Sequence, residues 1–247
     1  MKRVEKHYMS ILGLVLALVV ILSAEARADL YTFDDWGYLG GTAGYEANTT
    51  VMGQLSIAVT DEDVYDGETL LAEVGDHQVL FIFSKSGTYD ASLTDIYFED
   101  GALLGIAEVF NNLTTGVIFA SPINGQETLP NGNNATPPFE TTQGFSADSK
   151  NTGSGVDISG ESVGILFNLD QIPESENYYT LADVIAAIYQ GFDDPTEELS
   201  LRIGIHVRSI GEGSGYSQSY ILTPVPGAVI LGLLGLGAVG LKLRKFA

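Results

Sequence analysis

Leu199-Ser200-Leu201-Arg202-Ile203-Gly204-Ile205-His206-Val207-Arg208 alternates apolar and polar residues without a break. Side chains on a strand point to opposite faces in turn, so this run reads as a β-strand with Leu199, Leu201, Ile203, Ile205 and Val207 on a core and the polar set facing out. The same period recurs at Leu55, Ile57 and Val59 and at Val163, Ile165, Phe167 and Leu169. Val79-Leu80-Phe81-Ile82-Phe83 is apolar on both faces and suits a central strand. Further strands are expected near Ser92–Phe98, Leu103–Phe110, Gly116–Ala120 and Ser217–Leu222, separated by Gly, Asn and Asp turns. So many half-apolar strands are best buried as two packed antiparallel sheets. The expected fold is therefore all-β, a sandwich or jelly-roll-like domain with one short helix.

That helix follows Thr180, which can cap it. Leu181, Val184, Ile185 and Ile188 share a face, Asp183 lies in the first turn, and Gly191 is expected to end it. It reads as a crossover covering one end of the sandwich. Ser121 to Gly155 holds Pro122, Pro130, Pro137 and Pro138 among Asn, Gly, Ser and Thr, and is expected to be a long exposed loop. Such a loop serves either binding or mere surface variation.

Outside the strand-rich middle lie two apolar segments with basic flanks. Lys2, Arg3 and Lys6 precede the apolar run Ile11–Leu22, and Ala26-Arg27-Ala28 forms a small-x-small cleavage site, so residues 1–28 read as a secretory signal and the mature chain is expected to start at Asp29. At the other end, residues 225–241 contain no acid and no amide and lead into Lys242-Leu243-Arg244-Lys245. One helix through that stretch can cross a bilayer, and the terminal cations keep its end cytoplasmic. The expected domains are 1–28, an exported β-rich body at 29–222, and a tail at 223–247.

The tail, with Pro224, Val225, Pro226, Gly227 and Ala228 before a Gly-rich apolar helix and Lys242, Arg244 and Lys245 after it, resembles the carboxyl-terminal sorting signal of PEP-CTERM proteins. The family's Pro-Glu-Pro core is here Pro224-Val225-Pro226, without the glutamate. Segments such as Phe139–Asp148 and Leu201–Val207 are similar to exported domains of that family. The resemblance implies the secretion machinery and an exosortase-type membrane protease as partners, the inner membrane of a Gram-negative bacterium as a stopping place, processing near Pro224–Pro226, and then release or attachment at the cell surface. It also implies an association with extracellular polysaccharide and with glycosylation. The triplets starting at Asn48, Asn112 and Asn134 fit the Asn acceptor pattern.

Residues 29–223 hold 30 of the 32 acidic residues and four of the 11 basic ones, a formal charge of −26 against −21 for the whole chain. Such a surface repels nucleic acid and keeps an exported protein soluble. The absence of cysteine removes thiol catalysis, Cys-based zinc sites and haem attachment through thioethers.

Little else points to chemistry. Gly160-Glu161-Ser162-Val163-Gly164 matches the nucleophile-elbow pattern, but it precedes a strand instead of opening a helix. Beyond the signal, only His77 and His206 remain, too far apart in sequence for a short-spaced metal pair. No catalytic residue and no cofactor is assigned. Calcium is the one ligand with some support, at Asp61, Glu62, Asp63, Asp66 and Glu68, or at Asp193, Asp194, Glu197 and Glu198. The expected function is a noncatalytic surface or matrix protein. The alternatives are a carbohydrate-binding module, with Trp36 and the twelve tyrosines as stacking groups, and a secreted hydrolase. For Trp36, Tyr38 and Tyr45, core packing and sugar stacking both stand.

Overall fold

The computed structural model describes residues 30–43, 45–111, 113–121, 128–211 and 215–223. The elements are β1 (Tyr31–Phe33), β2 (Trp36–Gly41), α1 (Tyr45–Met52), β3 (Leu55–Thr60), β4 (Val64–Asp66), β5 (Thr69–Ala72), β6 (Gln78–Lys85), β7 (Ser92–Asp100), β8 (Leu104–Phe110), β9 (Phe119–Ala120), β10 (Ser146–Ser149), β11 (Ser162–Leu169), α2 (Leu181–Asp193), β12 (Leu201–Arg208) and β13 (Ser217–Leu222). One sheet runs β1-β3-β6-β11-β8 and the other β2-β13-β12-β7-β10-β9, with every neighbouring pair antiparallel. Inward residues of both sheets share one apolar core, which is the all-β, two-sheet architecture that the alternation predicts. No helix among the described residues is long and apolar enough to cross a membrane, and the expected span at 225–241 lies outside them.

At the centre, Phe98 of β7 meets Phe81 at 5.3 Å, Phe83 at 6.0 Å and Phe167 at 4.8 Å, in each case edge-on. These contacts join strands of opposite sheets. Trp36 adds a polar link, its Nε1 donating to the Leu55 carbonyl at 2.9 Å, so β2 of one sheet is tied to β3 of the other. The two-sided apolar reading of β6 holds. Val79, Phe81 and Phe83 enter the main core, while Leu80 packs outward with Ala72, Leu113 and Leu166 beneath the β4–β5 hairpin.

The polar face of β12 departs from expectation, because only Arg208 in that strand is exposed. What covers it is the segment expected to be an exposed loop. Leu129 and Phe139 are buried against Leu39 and Tyr97, and they lie over Gly204, where an added Cβ would come 2.6 Å from Leu129 Cδ2. Arg202 pins this strap from below. Its Nη1 donates to the Pro137 carbonyl at 2.8 Å, its Nη2 to Pro138 at 2.7 Å and to Glu99 at 2.5 Å, and its guanidinium lies 5.4 Å from the Phe139 ring centre. Bonds at both terminal nitrogens offset the burial of the charge, while Nε is buried without a partner. Further along the same segment, residues 146–149 add β10 to the edge of β7.

Helix α2 carries the expected cap, with the Thr180 backbone N–H donating to the Asp183 carboxylate at 2.8 Å and the Asp183 N–H returning to Thr180 Oγ1. It crosses from β11 to β12 and seals one end of the core with Leu181, Val184, Ile185 and Ile188. Gly191 does not end it, since the helix continues to Asp193. The glycine is needed for close approach, because a Cβ there would lie 2.3 Å from the Leu201 carbonyl oxygen. Strand β12 likewise starts at Leu201 and not Leu199, which is exposed within the Glu197–Ser200 turn. The strand expected from Gly116 shrinks to Phe119–Ala120.

Replacing Arg202 by Ala leaves Glu99 and two carbonyls without their buried donor, and is expected to cost about 3–5 kcal/mol. Urea unfolding measures the loss, and limited proteolysis should cut within residues 128–139 faster than in the wild type. Unchanged stability would mean that Leu129 and Phe139 hold the strap alone.

Candidate functional site

Of the described residues singled out in the sequence, several prove to be structural. Ala26 and Ala28 of the cleavage site, Pro224 to Ala228, and Lys242, Arg244 and Lys245 lie outside the described residues. Trp36 is in the core, which removes it as a stacking platform. Ser162 opens β11 after the turn at Gly160, its backbone N–H and carbonyl both engage Thr114 Oγ1, and no strand-to-helix elbow forms. His206 belongs to the opposite sheet. Of the glycosylation triplets, Asn48 is buried, Asn134 is exposed with its amide donating to the Leu39 carbonyl at 2.7 Å, and Asn112 lies outside the described residues.

The acidic turns do not converge on a point. Asp63 accepts from the Val74 N–H at 2.8 Å and from the Tyr65 hydroxyl at 3.2 Å, and Asp194 accepts from the Thr196 hydroxyl at 2.7 Å. Among the described residues no three His, Asp or Glu side chains are grouped to hold a metal ion.

Two buried ionic clusters are equally structural in form. On the outer face of β12, Asp95 Oδ2 accepts from Thr94 Oγ1 at 2.8 Å and lies 2.8 Å from His206 Nδ1 and 3.2 Å from an Arg208 nitrogen. Burial alone would raise the Asp95 carboxyl, but the His206 and Thr94 hydrogen bonds and the Arg208 charge outweigh it and hold the pKa below its ordinary value. On the other sheet, buried Lys85 donates to the Asp157 carbonyl at 2.7 Å, and burial pulls its ammonium pKa down against the nearby carboxylates of Asp157, Asp90 and Glu161. Burial, then the hydrogen bond and charge of Glu161, push the Asp157 carboxyl up.

The arrangement best suited to a ligand lies at the end of the sandwich where α2 begins. Strand β3 delivers Asp61, and the turn after β5 brings Asp76 and His77 to the start of β6. His77 adopts a left-handed backbone at φ 59°, a conformation costing a bulky residue on the order of 1–3 kcal/mol. Its carbonyl is held by the Leu169 N–H at 2.7 Å, which ties the turn to β11. The imidazole then stacks on Tyr178, ring centres 4.1 Å apart and 12° from parallel. Both residues are exposed. Asp61, Asp76 and His77, with Tyr179, Thr180 and Leu181 at the helix start, line a cleft of about 250 Å³, and Tyr178 is not part of that lining. Gln78 on its floor is already committed, accepting from the Gly75 N–H and donating to Asn168, each at 2.8 Å. The carboxylates of Asp61 and Asp76 are exposed at the rim. In sequence only the scarcity of histidine drew attention to His77, and its partner ring was not visible there at all.

No protein-family model matches the chain, and no curated protein or solved structure shows significant similarity to it.

Asp100, at the end of β7, offers a direct check on these electrostatics. Burial pushes its carboxyl up to about 6, against the pull of the Leu104 and Leu103 N–H groups that donate to Oδ2. A folded-state pKa above the unfolded value means that the folded form binds more protons in between, so the contribution to stability grows as pH falls through about 6 towards the ordinary carboxyl value. Relative to Asp100→Asn, the wild type should therefore gain stability between about pH 7 and about pH 4.5. Urea unfolding of both proteins across that range gives the comparison, and parallel curves would refute it.

Proposed function

We propose that the chain is a noncatalytic surface or matrix protein, exported by the secretion machinery of a Gram-negative bacterium and sorted through its tail. The observation that carries this reading is the acid-free apolar run 225–241 closed by Lys242, Arg244 and Lys245, paired with a signal segment at the other end. In this reading residues 225–241 form a transmembrane helix that arrests the chain in the inner membrane. An exosortase-type protease then processes it near Pro224–Pro226, and the body is released or attached at the surface.

The body is well built to be held from that end. Strand β13 stops at Leu222, and Thr223 donates its N–H to the Asp35 carbonyl at 2.8 Å, beside the first strands of the fold. It is also an interior strand, flanked by β12 and β2, so tension on the tail loads two hydrogen-bonded ladders along their length. The acidic surface of residues 29–223 suits an extracytoplasmic setting, where self-repulsion maintains solubility.

Fractionation of the producing cells tests the proposal. The full chain should start at Asp29 and travel with the inner membrane or as a tail-processed external form, whereas a chain ended after Thr223 should be recovered soluble outside the inner membrane. A cytosolic product with residue 1 intact contradicts it.

A further inference from the structure

We propose that the groove beside the end of β13 holds the chain's own next residues, Pro224, Val225 and Pro226, against the folded body. Leu39, Ala135, Phe192, Pro195, Ile221 and Thr223 line it, around a space of about 200 Å³. That is less than the roughly 300–1,000 Å³ of pockets that enclose drug-sized molecules, and suits a few side chains of an extended peptide. Thr223 is both a wall of the groove and the last described residue before the tail, so the occupant is already tethered at its edge.

Strand register gives the direction. β12 and β13 pair Gly204 with Ile221, and by the same register residues 224 to 226 pass residues 199 to 201. Leu199 stands on that path 40% exposed and Phe192 on the groove wall 47% exposed, whereas Leu181, Val184, Ile185 and Ile188 of the same helix as Phe192 face the core. Ile221 and Thr223 line the groove while Leu222 between them packs into the core, so alternation puts Val225 on the groove side. Pro224 and Pro226 carry no N–H and cannot extend the ladder past β13, and they keep Thr223 and Val225 from helical backbone. What they offer is a preformed extended segment with apolar side chains, the form in which proline-rich peptides lie in aromatic-lined grooves. A docked segment is a shielded one. A protease that takes residues 224 to 226 in extended form must first lift them from the groove, so the body gates its own cleavage. That consequence rests on the processing proposed above, and the docking does not.

Thiol reactivity tests it in the unprocessed full chain, purified in detergent, where an introduced cysteine is the protein's only thiol. Val225→Cys keeps a small apolar side chain at the groove. Shielding by the micelle deepens along the apolar run and so slows position 227 more than 225, whereas docking slows 225 more. With a charged, water-soluble maleimide, Val225→Cys should therefore react about tenfold more slowly than Gly227→Cys. Phe192→Ser, a change at an exposed ring, should speed position 225 about tenfold, as expected for loss of an aromatic anchor, and leave 227 unchanged. A urea midpoint near the wild-type value confirms that the variant folds. Three outcomes overturn the proposal: position 225 reacting as fast as 227 or faster, a rate at 225 that Phe192→Ser leaves unaltered, and acceleration of both positions alike. Labelling of purified protein reports nothing about export, so its failure leaves the tail reading untouched.

Discussion

Phe98 is the contact on which the sandwich depends. It projects from β7 into the space between the sheets and meets Phe81, Phe83 and Phe167 edge-on, each within about 6 Å of ring centre. Aromatic rings in this geometry add attraction to the apolar area they bury, and they fix how far apart the sheets sit. With that spacing set, α2 fits over one end of the core. The same placement brings Thr180 and Leu181 to the mouth of the cleft that His77 lines. The site at the rim is thus a consequence of how the core is closed.

A second constraint is electrostatic. A body of formal charge −26 has few cations to neutralise buried carboxylates, and three of its four basic residues are used in that way. Arg202 pairs with Glu99 beneath the strap, Arg208 and His206 converge on Asp95, and Lys85 sits among Asp157, Asp90 and Glu161. The exposed acids are left unmatched. Their mutual repulsion favours solubility, and Asp61 and Asp76 supply acceptors at the cleft.

Elements whose signals are local were legible in the sequence. Strand β6 declares itself by apolar residues on both faces, β11 and β12 by alternation, and α2 by a capping box followed by a helical stripe. Signals that depend on distant partners were not. Arg202 and His206 look like outward polar residues because their partners, Glu99 and Asp95, lie in another strand. Leu129 and Phe139 are isolated apolar residues in a polar stretch, and Ser146–Ser149 becomes a strand only because β7 offers an edge. Gly191 shows the ambiguity in a single residue, since a helix-ending glycine and one required for close approach are written identically. The His77–Tyr178 stack brings together residues from separate turns, so no spacing rule could have found it.

The proposed topology divides the labour between body and tail: a two-sheet acidic domain would meet the exterior, while the terminal segment would cross the inner membrane. The chain contains no cysteine, so single cysteines can report the side of the membrane on which each part resides. The direct measurement is labelling of Tyr65→Cys and Ala247→Cys with a membrane-impermeant maleimide, in intact and permeabilised spheroplasts that retain the unprocessed protein. Under the proposed topology, position 65 reacts in intact spheroplasts and position 247 only after permeabilisation. Equal reactivity of the two positions in intact spheroplasts, or no reaction of either before lysis, would contradict it.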